Sequence, residues 1–162
     1  MTVIAAWKDK KEVWIAGDSG AFDETTVITS AEPKIWKNET SLVGVAGSFR
    51  IMDILRNSKV GDPYKIRDFL MSKSNEVGFP SDWSVLIATK SGIYEIGADF
   101  GVVKSAENYG ATGAGAQAAL SALFVLENTE NTITPRKRVE CAVQAAITHT
   151  TNARPPIKVL SL

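Results

Sequence analysis

The order of apolar segments along the chain limits its fold more than any other feature of the sequence. Short apolar runs bounded by polar turns, which are typical of strands, occur in one group at the start of the chain and in a second group in its middle. Apolar residues at helical spacing follow each group, and one short apolar run closes the chain. The predicted strands are 2–7, 12–16, 41–46, 83–88, 93–96 and 157–160, and the predicted helices are 51–60, 64–73, 114–126 and 135–150.

This order favours an α+β sandwich over a regular alternation of strands and helices. Strand pairs from the two groups can stack face to face, and a helix layer then covers the outside of each sheet. The sequence contains no internal repeat, low-complexity stretch or linker that would divide the chain. We therefore predict one domain over residues 1–162.

Composition and charge exclude several classes of function. The 162 residues include 18 basic and 18 acidic side chains, so the formal net charge is zero and the attraction behind non-specific nucleic-acid binding has no source. No apolar run approaches the ~20 residues that cross a bilayer, and the first residues lack the pattern of a signal peptide. We expect no nucleic-acid or membrane partner, and a location in the cytoplasm.

The single cysteine and the single histidine remove further mechanisms. Cys141 excludes an internal disulfide and a multi-cysteine zinc site, and neither a metal nor any other cofactor is expected. We predict a buried thiol on the inner face of its helix. His149 has no recognisable nucleophile motif around it, and an exposed position at a helix end is the expected one.

The glycine-rich stretch 110–115 is similar in composition to a phosphate-binding loop but lacks the residues that define one. It has neither the glycine-lysine-serine/threonine ending of a P-loop nor the glycine order of a dinucleotide site. The preferred interpretation is a tight turn where a strand passes into a helix.

The amino terminus carries the most informative chemistry. Thr2 follows the initiator methionine, and its small side chain is of the type that permits methionine removal. An amino-terminal threonine combines a hydroxyl nucleophile with an α-amino group, whose pKa near ~7.7 to 8.0 lets it act as the general base. A nearby ammonium would lower the pKa of that amine. Lys34 is the candidate for this charge, and Asp18 is the candidate for the carboxylate that holds Lys34.

Four segments resemble the opening of a proteasome β-type subunit, and in particular that of the bacterial HslV peptidase. They are Thr2–Ala5, Ile15–Ala21, Pro33–Ile35 and Val45–Gly47. Those families place an amino-terminal threonine, an aspartate after a glycine and a lysine at successive spacings of sixteen residues, and Thr2, Asp18 and Lys34 have these spacings. More weakly, 84–97 is similar to the central hairpin of the family and 113–128 to the helix that follows.

The resemblance implies the fold of the amino-terminal-nucleophile hydrolases, a four-layer αββα sandwich, and a threonine-type peptidase. Thr2 would be both nucleophile and base, Lys34 would tune its amine, and Asp18 would orient Lys34. The backbone N–H of Gly47 would donate to the oxyanion that forms when Thr2 attacks a peptide carbonyl.

The resemblance also implies substrate contacts and partners. Ser19 and Phe22 would flank the substrate cleft, and the substrate would be unfolded polypeptide. Subunits of these families form closed rings, so a homo-oligomeric ring is expected. An ATPase that unfolds the substrate would be a separate chain, because this sequence has no nucleotide-binding motif.

Departures from the family pattern surround the predicted trio. The Gly-Ser-Gly of the family falls on 110–112, so the hydroxyl that supports the terminal amine is missing unless Thr112 replaces it. A supporting aspartate has no counterpart among residues 145–148, and Phe22 stands where the family usually has a small hydroxyl residue. Because a weakly supported site loses rate quickly, the sequence predicts slow catalysis.

Two alternatives therefore remain open at the level of sequence. The chain could keep the sandwich as a structural or assembly protein, for example in a viral particle or a cage, and hydrolyse nothing. It could also be an amidase of the same nucleophile superfamily that acts on a small amide.

Overall fold

The computed structural model describes residues 2–22, 26–76, 78–129, 133–151 and 153–162. Its strands are β1 (Ile4–Lys8), β2 (Val13–Gly17), β3 (Gly20–Phe22), β4 (Val27–Thr29), β5 (Ile35–Lys37), β6 (Ser41–Ala46), β7 (Ser84–Thr89), β8 (Gly92–Gly97), β9 (Val102–Lys104), β10 (Tyr109–Thr112) and β11 (Lys158–Ser161). Its helices are α1 (Phe49–Ser58), α2 (Pro63–Lys73), α3 (Ala116–Asn128) and α4 (Pro135–His149).

Two antiparallel sheets occupy the centre of the molecule. The first has the strand order β10-β1-β2-β11, and the second has the order β5-β6-β7-β8-β9. Strands β3 and β4 form a separate hairpin. The register of β1 against β2 places Ile4 opposite Gly17, so Thr2 and Asp18 lie at the same end of this strand pair.

Both faces of each large sheet are covered, which gives four layers. Alternate residues of a strand point to opposite faces. Ile4 and Ala6 of β1 therefore belong to the core between the two sheets, while Val3, Ala5 and Trp7 pack on the other face with residues of α3 and α4. A third core lies between the five-stranded sheet and helices α1 and α2. The predicted α+β sandwich with a helix layer outside each sheet is confirmed.

Helices α2 and α4 begin at or next to the predicted residues, whereas α1 begins at Phe49 and α3 at Ala116, two residues from the predicted starts. Pro63 and Pro135 each stand in a first helical turn, where a missing backbone N–H does no harm. The side chains of Asp62 and Thr134 cap these two helices by accepting from backbone N–H groups of the first turn. Within the described ranges, none of the helices is long and apolar enough to cross a bilayer.

The structure corrects two details of the predicted helices and confirms a third. The spacing places Val60 inside the first helix, but α1 ends at Ser58, where Lys59 turns into the left-handed conformation (φ 56°). Cys141, expected on the inner face of its helix, is only half-buried. The inner face of α4 instead carries Val139, Ala142, Val143 and Ala146. His149 is exposed at the end of α4, as predicted.

The second half of the glycine-rich stretch is the turn from strand to helix that the sequence predicts, whereas residues 110–112 belong to the strand itself. Strand β10 ends at Thr112, and α3 begins at Ala116. Between them, Gly113 has a φ of +89°, which favours glycine. Strands β3, β4, β5, β9 and β10 themselves were not predicted, because each has only three or four residues and three of them include exposed positions.

Ile4→Ala tests the core between the sheets. Ile4 is fully buried there, and shortening such a side chain typically costs about 2–5 kcal/mol. We expect this loss in the free energy of unfolding, measured by urea denaturation followed by circular dichroism. Ile28→Ala is the matched control, because Ile28 is 60 % exposed on β4 and a surface change typically stays within about 0.5 kcal/mol. Equal losses in the two variants would contradict the assigned core.

Candidate active site

Thr2 is held at the entry to the first sheet by the turn that precedes α3. Thr2 is only 5 % exposed. Its carbonyl oxygen accepts a hydrogen bond from the backbone N–H of Gly115 at 3.1 Å. A Cβ on Gly113 would lie 2.4 Å from the same carbonyl oxygen, so this close approach requires glycine. The turn therefore positions Thr2 through backbone contacts.

Asp18 and Lys34 reach Thr2 from the two different sheets. Asp18 directly follows β2, and Lys34 directly precedes β5. The Nζ of Lys34 donates to the Oγ1 of Thr2 at 2.9 Å and to the Oδ1 of Asp18 at 2.9 Å. Of the three side chains that the sixteen-residue spacings single out, Lys34 thus lies within hydrogen-bond distance of both others.

Backbone groups fix the Asp18 carboxylate. Its Oδ1 also accepts from the N–H of Val3 at 3.0 Å, and its Oδ2 accepts from the N–H of Gly20 at 2.9 Å and of Arg154 at 3.1 Å. Val3 directly precedes β1, Gly20 is the first residue of β3, and Arg154 lies in the segment before β11. Because each charged oxygen has more than one donor, the carboxylate has a single well-supported orientation towards Lys34.

Burial governs the electrostatics of this group. Asp18 is 1 % exposed and Lys34 is 3 % exposed. Burial lowers the pKa of Lys34 below its ordinary value, because the ammonium has lost its hydration, and the Asp18 carboxylate opposes part of this shift. A positive charge in contact with the Oγ1 of Thr2 stabilises negative charge on that oxygen, so the arrangement favours a nucleophilic hydroxyl.

Gly47 lies at the end of β6, beside Thr2. Its φ is +90°, and a Cβ would lie 2.5 Å from the carbonyl oxygen of Asp82, so the position requires glycine. The next residue, Ser48, caps α1 by accepting from the N–H of Ile51. The positive end of the α1 dipole therefore adjoins Gly47, and this backbone is suited to a developing negative charge.

A small cavity of about 70 Å³ opens beside Thr2. Its lining residues are Thr2, Phe22, Lys34, Val45, Gly47, Ser48, Phe49 and Met52. Phe22, expected at the substrate cleft, is one of its walls. A larger groove of about 670 Å³ lies apart from this cavity, between β8, β10 and α3, and neither Thr2 nor Lys34 lines it.

The structure places Ser19 away from the expected substrate cleft. Its hydroxyl donates to the carbonyl oxygen of Pro156 at 2.7 Å, and its backbone N–H donates to the carbonyl oxygen of Arg154 at 2.9 Å. Ser19 is buried and does not line the cavity beside Thr2. Its contacts attach the residues after Asp18 to the segment that leads into β11.

The Thr112 hydroxyl, considered above as a substitute for the supporting hydroxyl, makes its hydrogen bonds to the other sheet. Its Oγ1 lies 2.6 Å from the Oγ of Ser84 and donates to the Oε1 of Glu95 at 2.6 Å. Ser84 and Glu95 belong to the five-stranded sheet, so this hydroxyl joins the two sheets. Ala146 of α4 lies close to Gly115, where an added Cβ would be 2.9 Å from the Ala146 Cβ.

Sequence reasoning missed the backbone groups that support Thr2 and Asp18, of which two come from distant segments. The N–H of Gly115 supports Thr2, and the N–H of Arg154 supports Asp18. Every non-proline residue carries a backbone N–H, so no residue type marks these contacts in the sequence. The described residues contain no group of three or more histidine, cysteine, aspartate or glutamate side chains arranged to hold a metal ion.

Solved structures relate this geometry to known proteins. BPH from Thiobacillus denitrificans in complex with epoxomicin matches with a TM-score of 0.86 at 19 % identity, over 99 % of this chain and 98 % of that chain. A second structure of Thiobacillus denitrificans BPH has a TM-score of 0.85 at 17 % identity, over 99 % and 97 %. Eukaryotic HslV from Trypanosoma brucei has a TM-score of 0.81 at 20 % identity, over 99 % of both chains. The chain has the HslV fold.

The HslV fold is the αββα sandwich that the sequence resemblance implies, so this prediction is confirmed. No protein-family model matches the sequence, and no curated protein sequence matches it either. Identities of 17 % to 20 % relate the chains through their fold.

Asp18→Asn tests the buried ion pair. Removing one partner leaves the Lys34 charge uncompensated, which typically costs about 3–5 kcal/mol. We expect a loss of this size in the free energy of unfolding, measured by denaturant titration. Adding Lys34→Met should recover part of the loss, because no charge then remains buried.

The exposed pair of Arg67 and Asp68 provides the control. Its N–O distance is 2.8 Å, but the Asp68 side chain is 63 % exposed. Solvent screening reduces such a pair to about 0–1 kcal/mol, so Asp68→Asn should change the free energy of unfolding by no more than that. Simple additivity of Asp18→Asn and Lys34→Met would show that the two buried groups are not coupled.

Proposed function

We propose that residues 1–162 form a single-domain threonine-type peptidase, which cleaves unfolded polypeptide once Met1 has been removed. The observation that carries this proposal is the 2.9 Å contact between the Nζ of Lys34 and the Oγ1 of Thr2. The likeness to HslV and to BPH in complex with epoxomicin supports the same class of enzyme.

The proposed reaction uses the main-chain nitrogen of Thr2 as its base. The Oγ1 of Thr2 attacks the carbonyl carbon of a peptide bond, and the hydroxyl proton passes to the α-amino nitrogen. The ammonium of Lys34 favours the charged Oγ1, and the N–H of Gly47 donates to the oxyanion. The carbon–nitrogen bond then breaks, the α-ammonium gives its proton to the departing amine, and an ester to Thr2 remains.

Water completes the proposed cycle. The α-amino nitrogen accepts a proton from a water molecule, whose oxygen attacks the ester carbon. The bond from that carbon to the Oγ1 of Thr2 breaks, and the proton returns to this oxygen. One peptide bond and one water are consumed, and two shorter chains are released. No metal or cofactor is needed in this sequence of steps.

A second candidate is a structural or assembly protein that has kept the fold and lost the reaction. The observation that favours it is that the Thr112 hydroxyl is hydrogen-bonded to Ser84 and Glu95 of the five-stranded sheet. Under this candidate the location could be a virion and not the cytoplasm.

Covalent labelling of Thr2 distinguishes the two candidates. The chain is produced as a fusion and cleaved before Thr2, and it is then incubated with epoxomicin. We expect one adduct at Thr2, measured by intact mass and peptide mapping. The matched control retains Met1, whose amide nitrogen cannot act as the base, and should give no adduct. Thr2→Ala should give none either.

The outcome without labelling is equally informative. A correctly folded chain that begins at Thr2 and resists the reagent would refute the peptidase and favour the structural candidate. Lys34→Ala should slow adduct formation by at least about 100-fold, in the range typical for loss of a group that stabilises charge in the transition state.

We also propose that the chain assembles into a homo-oligomeric ring. Val103, Leu120, Phe124 and Val125 are large apolar side chains that remain exposed, and all four line the groove of about 670 Å³. Clustered apolar surface of this kind is typical of a protein interface. A second copy of the chain is the proposed occupant. A polypeptide substrate and a separate unfolding ATPase, in the cytoplasm, complete the proposed setting.

Phe124→Glu tests the proposed interface. Phe124 is 59 % exposed, so the substitution does not disturb the core, but it places a charge in the apolar groove. We expect the variant to dissociate into smaller species, measured by native mass spectrometry. Met71→Glu, at an exposed methionine of α2, is the control and should leave the assembly unchanged. If the Phe124→Glu variant assembles like the unaltered protein, the interface does not include this groove.

A further inference from the structure

The cavity beside Thr2 has little room. Its volume is about 70 Å³, less than half of the ~150 Å³ of an engineered apolar cavity that binds benzene. A short side chain is therefore a better match to this space than a leucine or phenylalanine side chain.

Bulky side chains from two elements set this size. Phe49 and Met52 lie three residues apart on α1, and this spacing places both on the side of the helix that faces Thr2. Phe22 comes from β3 and forms another wall. Met52 is buried in the core beneath α1, so the floor of the cavity is supported from behind.

The lining is also suited to an uncharged occupant. Val45, Phe22, Phe49 and Met52 contribute apolar surface. The charged member of the lining is Lys34, whose ammonium already donates to Asp18 and to Thr2. A charged substrate side chain in this space would lose hydration and would find no ionic partner of its own. Its binding is therefore unfavourable.

The attack geometry connects this cavity to the substrate. The Oγ1 of Thr2 attacks a carbonyl carbon that is bonded to the Cα of the residue before the scissile bond. The side chain of that residue therefore begins two bonds away from the reacting carbon and must be accommodated next to Thr2. Since Thr2 itself lines the cavity, the cavity is the nearest space that can receive it.

We propose that the enzyme cleaves after small uncharged residues, with alanine preferred over leucine and phenylalanine, because Phe22, Phe49 and Met52 restrict the cavity beside Thr2. This inference rests on the proposed peptidase function and adds its substrate class. One methylene group in a fitted pocket changes specificity by about 10- to 200-fold. We therefore expect alanine to exceed leucine by at least about 10-fold in rate.

Peptide epoxyketones that differ only in the residue next to the epoxyketone test the proposal. Probes with alanine, leucine or phenylalanine at this position are incubated with the oligomeric protein whose chain begins at Thr2. The measured quantity is the second-order rate constant for the Thr2 adduct, followed by intact mass. We expect the alanine probe to react at least about 10-fold faster than either larger probe.

Two cavity variants should weaken or remove the expected preference. Met52→Ala removes the floor of the cavity, and Phe22→Ala removes a wall that is only half-buried, so the second variant tests the idea with less risk to folding. In both, the ratio of the leucine rate to the alanine rate should rise by at least about 10-fold. Met71→Ala, at an exposed methionine on α2, is the matched control and should leave the ratio unchanged.

The outcomes separate this inference from the function on which it rests. If the leucine or phenylalanine probe reacts with the unaltered protein as fast as the alanine probe, the size restriction is wrong and the peptidase stands. An unchanged ratio in both Met52→Ala and Phe22→Ala would also overturn the assigned walls. If no probe labels Thr2, the peptidase itself fails, and the substrate preference fails with it.

Discussion

The buried contact between Lys34 and Asp18 is the interaction on which the rest of the site depends. Two charges removed from water are unfavourable unless their remaining hydrogen-bonding capacity is met. Here the carboxylate accepts three backbone N–H groups in addition to the ammonium, and the ammonium also donates to the Oγ1 of Thr2. Because those donors come from separate parts of the chain, the pair can form only when both sheets are in place. Folding and site assembly are therefore one event.

The sequence predicts those parts of the fold in which a local pattern reports a local environment. Strand β1 is apolar on both faces because it lies between the second sheet and a helix layer. Its sequence is therefore a continuous apolar run, which predicts a buried strand. Pro63 and Pro135 mark helix starts for an equally local reason. By contrast, β4 is exposed along its length and β9 nearly so, and three residues are too few to show the alternation that identifies a strand.

In the candidate site, too, the sequence predicts the residues that a local pattern marks and misses the contacts between distant residues. Thr2, Asp18 and Lys34 could be singled out because amino-terminal threonine chemistry needs those residue types and because their spacing matches a known pattern. The roles of Ser19 and Thr112 could not, since each depends on a partner more than ten residues away that no local pattern reveals. Cys141 shows that helical spacing predicts the buried face only to within about one residue. One step along a helix moves a side chain from the inner face to its flank.

The surroundings of the trio explain why one fold supports two candidate functions. The contacts that hold Thr2, Asp18 and Lys34 use mostly backbone groups, and these persist whether or not a reaction takes place. Near the trio, Ala146 lies close to Gly115, and the Thr112 hydroxyl donates to Glu95 of the other sheet. A fold does not by itself fix the chemistry that it supports, so these surroundings are compatible with both candidates.

The most direct test of the central claim is the identity of the first residue in the protein isolated from its natural source. The proposed base is the nitrogen of Thr2, and it exists as an amine only after Met1 has been removed. Amino-terminal sequencing of the assembled native protein should therefore read threonine first. A methionine at the first position of the native assembly would contradict the account, because the nitrogen of Thr2 would then be an amide. The chain would then be a structural protein.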